Sequence, residues 1–212
     1  MLSQARRIRT AVLVSGGGTN LQALLDARGS VIRSAELALV ISNKPGAYAL
    51  ERARAAGIPA LTISAKTLGG REAFEQELQR ALERSGIELI VLAGFLTILS
   101  PDFTHRWDHR ILNIHPSLIP AFCGKDYYGL RVHEAALARG VKLTGATVHF
   151  VNEIPDGGEI LLQKAVEVLP GDTPELLQRR VMEQAEWVLL PRAVELTAEK
   201  LLEQKQEVIS KK

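Results

Sequence analysis

Short apolar runs and helical patterns alternate along the first hundred residues of the chain. The apolar runs are rich in Val, Ile and Leu, which is typical of buried parallel strands. They lie at Ile8–Val14, Leu37–Ile41, Ala60–Ile63 and Leu89–Ala93. Helical spacing of apolar residues occurs between them, in Leu21–Ala27, Tyr48–Ala56 and Arg71–Ser85. This alternation predicts an open, doubly wound sheet with right-handed crossovers.

The pattern changes in the second half of the chain. The predicted elements there are a short strand at Ile111–Ile114, a helix at Leu130–Ala138, strands at Ala146–Val151 and Ile160–Val166, and a helical region from Thr173 towards Lys205 that is interrupted near Pro191. No internal repeat or linker separates the halves. We therefore expect one α/β domain over residues 1–212, with a Rossmann-like, mostly parallel central sheet flanked by helices. Its two halves are expected at about 8–100 and about 101–205.

Composition restricts the class of protein. The chain has 212 residues, of which 46% are hydrophobic and 24% charged, and this suits one globular α/β domain. The net charge of +2 gives no reason to expect a nucleic-acid or membrane partner, but it permits an anionic small substrate. The single cysteine excludes an internal disulfide, and no apolar run has the length of a signal peptide or membrane span. We expect a cytoplasmic protein.

A run of three glycines, Gly16 to Gly18, joins the first predicted strand to the first helix. Glycines let backbone N–H groups approach an anion, and the start of the helix adds free N–H groups and a positive dipole end. The dinucleotide fingerprint fails, because Leu21 stands at its third glycine position and no carboxylate ends the second strand. The loop also lacks the lysine of a Walker motif. A mononucleotide phosphate is the expected ligand, and a plain tight turn is the alternative.

A polar cluster is predicted around His115. Asn113 and His115 point the same way from the strand, at its carboxyl end, where α/β sheets keep their sites. An amide and an imidazole side by side can polarise a carbonyl and transfer a proton. A carboxylate follows at Asp156, and beside His115 it would raise the histidine pKa. Ser117 is expected to cap a turn and Cys123 to be a spectator. No spacing of ligand residues indicates a metal site.

These segments together resemble the folate-dependent phosphoribosylglycinamide formyltransferases, from about Arg9 to about Glu195. The matching stretches are Ser15–Asn20, Ser42–Lys44, Leu92–Pro101, Asn113–Pro120, Gly145–Val151 and Asp156–Gly158. The element Asn-x-His-Pro-Ser-Leu-x-Pro with a downstream Asp is shared among folate formyltransferases. The glycine loop and the short length narrow the resemblance to this family.

The resemblance implies a role for each matching residue. Asn113, His115 and Asp156 would be catalytic, with His149 in support. The substrate phosphate and ribose would be bound by Gly18, Thr19, Asn20 and Glu186. The folate would be bordered by Arg71, Leu96, Thr97, Ile98, Leu99, Asn152, Glu153, Ile154 and Pro155. The family often has Arg where Thr97 stands, so the contact with the folate tail is expected to differ.

The activity implied by the resemblance is transfer of the formyl group of 10-formyltetrahydrofolate to the amine of glycinamide ribonucleotide, in purine synthesis and without a metal. A homodimer is compatible with it. The alternatives are another folate formyl enzyme, such as a formyltetrahydrofolate hydrolase, and a nucleotide-binding protein without catalysis. Two features stay open at this level: whether Cys123–Leu130 lines the site, and one apparent extra residue near Met182–Gln184.

Overall fold

A computed structural model describes residues 6–210. These residues fall into two compact units. The first unit comprises residues 6–97 together with residues 194–210, and the second unit comprises Ile98–Ala193.

The first unit contains four parallel strands in the order β3-β2-β1-β4. Their bounds are β1 Ile8–Val14, β2 Ala35–Ser42, β3 Ala60–Thr62 and β4 Leu89–Leu92. The central strand β1 has no exposed side-chain surface from Ala11 to Val14. Burying a side chain of this kind contributes about 1.5–3 kcal/mol, so the apolar run that predicts the strand also anchors it. The edge strand β3 was predicted to be buried, but it is largely exposed because only β2 covers it.

Four helices connect these strands. They are α1 Thr19–Asp26, α2 Tyr48–Ala55, α3 Ala65–Leu68 and α4 Arg71–Arg84. The fourth buries Phe74, Leu78, Ala81 and Leu82, which recur every three or four residues and so form one apolar face. Periodicity therefore predicted this helix and the face that it packs.

The second unit contains three antiparallel strands in the order β5-β6-β7. The strands are β5 Ile111–His115, β6 Leu143–Phe150 and β7 Ile160–Glu167, and the helices before the terminal segment are α5 Pro101–Arg106 and α6 Leu130–Arg139. The register pairs Asn113 with His149 and His115 with Thr147. Side chains at such opposed positions lie on the same face, so two of the polar residues singled out by the sequence are brought together.

The chain ends in a long helical segment of three parts, α7 Pro174–Val181, a π-helical turn Met182–Glu186 and α8 Trp187–Ser210. The predicted interruption near Pro191 is wrong, because α8 runs through the proline. Leu190 and Ala193 are fully buried there, and their packing compensates for the one backbone hydrogen bond that proline removes. The irregularity lies instead at the π-turn, which is the way a helix accommodates an extra residue.

The seven strands make up a mostly parallel sheet flanked by helices, which confirms the predicted α/β fold class. The three strands of the second unit were predicted close to their observed positions, but the sequence pattern did not specify that they pair antiparallel. No helix within residues 6–210 is long and apolar enough to cross a bilayer. The boundaries of the two predicted halves stay a prediction.

Candidate active site

The glycine loop of the first unit ends at Gly18, the N-cap of α1. Gly18 has a left-handed φ of 74°, and a Cβ atom there would lie 2.6 Å from the Cβ of Ala49. Any other residue would be both strained and in collision with α2. Thr19 and Asn20 begin the first turn of α1, and their predicted role in phosphate binding stays a prediction.

The segment after β4 is tied to the ends of the neighbouring strands in the same unit. The backbone N–H of Leu96 donates to Ser15 Oγ at 3.0 Å, and Asn43 Nδ2 donates to Thr97 Oγ1 at 2.7 Å. The side chain of Leu96 remains 53% exposed. Two of the residues expected to border a folate are therefore held by strand ends, while Arg71 lies exposed at the start of α4.

The polar cluster of the second unit is built by β5, β6 and the loop between β6 and β7. Asn113 Nδ2 lies 3.1 Å from His149 Nε2 and donates to Asp156 Oδ1 at 3.4 Å. Asp156 Oδ1 lies 3.5 Å from His149 Nε2, and its Oδ2 lies 3.5 Å from His115 Nδ1. The structure thus brings together the three residues predicted to be catalytic and the one predicted to support them.

Glycine shapes the loop that carries the carboxylate. A Cβ atom on Gly158 would lie 1.8 Å from the backbone oxygen of Phe150, well inside contact distance. Asp156 itself has a left-handed φ of 55°, a conformation that side chains rarely adopt. The Asp-Gly-Gly sequence therefore forms a tight turn, and this turn directs the carboxylate of Asp156 towards the side chains of β5.

The orientation of His115 is fixed by a backbone carbonyl. Its Nε2 donates to the oxygen of Phe122 at 2.8 Å, so in the neutral ring Nδ1 carries the lone pair and faces Asp156. Burial lowers the pKa of His115 below its ordinary value, although Asp156 and the Phe122 carbonyl both raise it. Asp156 therefore acts on the pKa in the expected direction, but the net shift is downward. His115 is only 4% exposed, and the desolvation of its ring outweighs the effect of the carboxylate.

Asp156 is kept charged by its neighbours. Burial raises its pKa, but hydrogen bonding with His149, the charge of His115 and the backbone N–H of Gly124 together hold the pKa below its ordinary value. The Gly124 N–H donates to Asp156 Oδ2 at 2.8 Å. The site therefore presents an anionic carboxylate beside a neutral imidazole at pH 7.

The turn after β5 supplies the backbone groups that hold this pair. Ser117 is fully buried, and its hydroxyl donates to the Ala121 oxygen at 2.6 Å, as expected of a residue that caps a turn. The Ile119–Pro120 peptide bond within the turn is cis. Sequence reasoning missed Phe122 and Gly124, because they act through the backbone and no residue type signals that. Cys123 lies between these two residues in the chain. Burial, and then the charge of Asp156, raise the pKa of its thiol.

The other predicted site residues are dispersed within the two units. Ile98 and Ile154 have exposed side chains, whereas Leu99 is buried and does not present its side chain to solvent. Asn152 Oδ1 accepts a hydrogen bond from the N–H of Ile154, which closes a small turn, and Glu153 and Pro155 are exposed. Glu186 is buried at the end of the π-turn. Within residues 6–210, no group of three or more potential ligands could hold a metal ion.

Comparison with known proteins gives a consistent set of relatives. The sequence profile of a family described as formyl transferase matches residues 8–194. The phosphoribosylglycinamide formyltransferase of Haemophilus influenzae is 42% identical over 186 residues, which are 88% of this chain and 85% of that protein. The trifunctional purine biosynthetic protein adenosine-3 of Drosophila melanogaster is 48% identical over 92% of this chain. The chain spans only 14% of the length of that relative.

The solved structures that resemble this chain carry names of the same kind. Glycinamide ribonucleotide transformylase 1 from Symbiobacterium toebii superposes with a TM-score of 0.86 at 44% identity, covering 94% of this chain and 92% of its own. The phosphoribosylglycinamide formyltransferase from Brucella melitensis gives a TM-score of 0.83 at 41% identity, covering 91% and 96%. These similarities extend over both units of the chain.

Proposed function

Because the chain belongs to the formyl transferase family, we propose that it is the enzyme that moves a formyl group from 10-formyltetrahydrofolate to the amine of glycinamide ribonucleotide. The products are the N-formyl nucleotide and tetrahydrofolate, and the step belongs to purine synthesis. The observation that carries the proposal is the cluster of Asn113, His115 and Asp156, in which a neutral imidazole and a charged carboxylate adjoin an amide. The relatives of similar length support the choice of substrates.

The proposed reaction proceeds without a covalent enzyme intermediate. The substrate amine attacks the formyl carbon on N10 of the folate, a new C–N bond forms, and the carbonyl electrons move to oxygen. The amide of Asn113 stabilises this oxyanion. Because the resting His115 is neutral, one amine proton goes to the His115–Asp156 pair, where Nδ1 is the atom that accepts it.

Collapse of the tetrahedral intermediate reverses these movements. The C–N10 bond breaks, the carbonyl reforms, and the proton held by the His115–Asp156 pair goes to N10 as tetrahedral geometry is lost. The anionic Asp156 stabilises the imidazolium while it exists, so the low resting pKa of His115 and its role as a proton carrier are compatible. Alignment of two bound substrates contributes much of the rate, up to roughly 7–11 kcal/mol in favourable cases.

The remaining residues are assigned by the resemblance, supported by their placement. Gly18, Thr19 and Asn20 hold the substrate phosphate at the start of α1, and Glu186 binds the ribose. The folate-binding residues that the resemblance assigns are Arg71, Leu96 and Thr97 in the first unit, and Ile98, Leu99 and the turn Asn152–Pro155 in the second. His149 orients Asn113 and Asp156. Leu99 contributes through its backbone, because its side chain is buried.

Two further attributes of the protein are proposals of the same kind. A cytoplasmic location fits a step of purine synthesis that uses small soluble substrates, and a homodimer is compatible with the family. The trifunctional relatives from Drosophila melanogaster and Gallus gallus are much longer proteins, of which this chain covers 14% and 19%.

The substrate assignment is tested by identifying the product. The purified chain is incubated with 10-formyltetrahydrofolate and glycinamide ribonucleotide, and mass spectrometry follows the nucleotide. A gain of one formyl group that depends on the folate is the expected result. Release of formate without a formylated nucleotide indicates the hydrolase instead, and nucleotide binding without either reaction indicates a binding protein.

A further inference from the structure

Two carbonyl groups of the glycine loop are held by helix α2. The backbone N–H of Ala49 donates to the Gly16 oxygen at 3.1 Å, and Arg52 Nε donates to the Gly17 oxygen at 2.9 Å. Both donors come from α2, and both bonds lie within the first unit. The loop is therefore fastened along one side by consecutive peptide groups.

This fastening determines where the loop aims its N–H groups. In a trans peptide the C=O of one residue and the N–H of the next point in opposite directions, and the peptides of the loop are trans. The N–H groups of Gly17 and Gly18 therefore point away from their anchors on α2. Among the described residues, none accepts a hydrogen bond from either group. They remain available to an anion at the start of α1.

Arg52 is itself held in place while it makes this contact. Its Nη1 donates to Gln22 Oε1 at 2.8 Å, and its guanidinium lies 5.0 Å from the centroid of the Tyr48 ring. Gln22 in turn donates to Asp26 Oδ1 at 2.8 Å. The planar fork of an arginine can use Nε and Nη1 together in fixed directions, which the single ammonium of a lysine cannot do.

We propose that Arg52 is a positioning residue for phosphate binding, which clamps the Gly17 carbonyl so that the Gly18 N–H faces the phosphate. Arg52 acts through the loop and does not contact the ligand. The inference rests on the proposed function to the extent that it takes the nucleotide phosphate to bind at this loop. It predicts that the geometry of the fork matters, and that positive charge alone is insufficient.

The experiment compares three variants with the intact wild-type chain. Arg52→Gln removes the fork, Arg52→Lys keeps the charge, and Arg54→Gln is the matched control, because Arg54 is an exposed residue of the same helix that pairs with Glu51. Calorimetric titration with inorganic phosphate measures binding without catalysis. Steady-state kinetics measure KM for the nucleotide and kcat, and thermal unfolding checks the fold.

Both Arg52 variants are expected to weaken phosphate binding and raise KM for the nucleotide about tenfold, with kcat within a factor of two and Arg54→Gln unchanged. Wild-type affinity in Arg52→Gln would overturn the inference, and so would full rescue by Arg52→Lys, which would indicate a direct charge effect. If Arg52→Gln does not fold, Gln22→Ala replaces it, and an unchanged KM in that variant overturns the clamp.

Failure of the proposed function is distinguishable from failure of this inference. A wild-type chain that binds phosphate but transfers no formyl group contradicts the function. A lower phosphate affinity in both Arg52 variants would still support the clamp. If the wild type transfers the formyl group but neither Arg52 substitution changes phosphate affinity or KM, the proposed function stands and the clamp is contradicted.

Discussion

His133 is a buried histidine that neither the sequence nor the proposed reaction gives a role. It lies on α6 with no exposed surface, and neither ring nitrogen has a hydrogen-bond partner among the described residues. Burial, and to a lesser degree the charge of nearby His115, lowers its pKa from 6.5 to about 4. An uncompensated imidazole of this kind makes folding sensitive to mild acid.

The sign and size of the effect follow from the two pKa values. The unfolded chain binds the proton at pH 6.5 and the folded chain only near pH 4, so the unfolded state gains protons first as the pH falls. The stability that depends on neutral His133 is therefore fully present above pH 6.5, and it is lost progressively as the pH falls from 6.5 to about 4. The loss is about 2 kcal/mol at pH 5 and about 3 kcal/mol once both states are protonated. Against a typical total of about 5–15 kcal/mol, this loss is easily measured.

The assay is urea unfolding of the wild type and of His133→Leu at several pH values across this window. The leucine variant fills a similar volume without a titrating group. Between neutral pH and pH 5, its free energy of unfolding should therefore fall by about 2 kcal/mol less than that of the wild type. His115 titrates in the same direction and leaves a residual slope in both proteins. His105→Leu, whose ring is largely exposed, controls for the loss of any histidine. Equal slopes in wild type and His133→Leu would refute the reasoning.

Two substitutions in the second unit test the site itself. Asp156→Asn removes the charge that stabilises the His115 imidazolium, so kcat should fall about a hundredfold or more while calorimetric affinities for both substrates change little, and near-normal turnover would contradict this role. Gly158→Ala places a methyl group 1.8 Å from the Phe150 oxygen, so urea unfolding should show a loss of about 2 kcal/mol or more, and a wild-type midpoint would show that the loop adapts.

The sequence predicted those parts of the fold that depend on local periodicity. The buried runs of β1 and β4 and the apolar face of α4 repeat at the spacing of their elements, so each could be located before the structure was known. The exposure of β3 could not, because the run looks the same whether one neighbouring strand covers it or two. The π-turn Met182–Glu186 was likewise invisible to a pattern based on 3.6 residues per turn.

In the candidate site, the sequence identified the side chains that carry the chemistry, but not the backbone groups that hold them in place. Asn113, His115 and Asp156 were identified from residue type and placement, and the structure brings them together. The effect of Asp156 on the pKa of His115 was predicted in the right direction, but the larger effect of burial was not predicted, because it depends on the tertiary packing around β5. The carbonyl of Phe122 could not be identified from the sequence, since every residue carries the same backbone group.

The central claim is that the His115–Asp156 pair carries formyl transfer to a nucleotide amine. The most direct test is a spectrophotometric assay of deformylated folate for the wild type and for His115→Ala, with each substrate omitted in turn. The account predicts that the wild type forms product only when both substrates are present, and that this activity is lost in His115→Ala. Folate release without the nucleotide, or full activity in the variant, would contradict it.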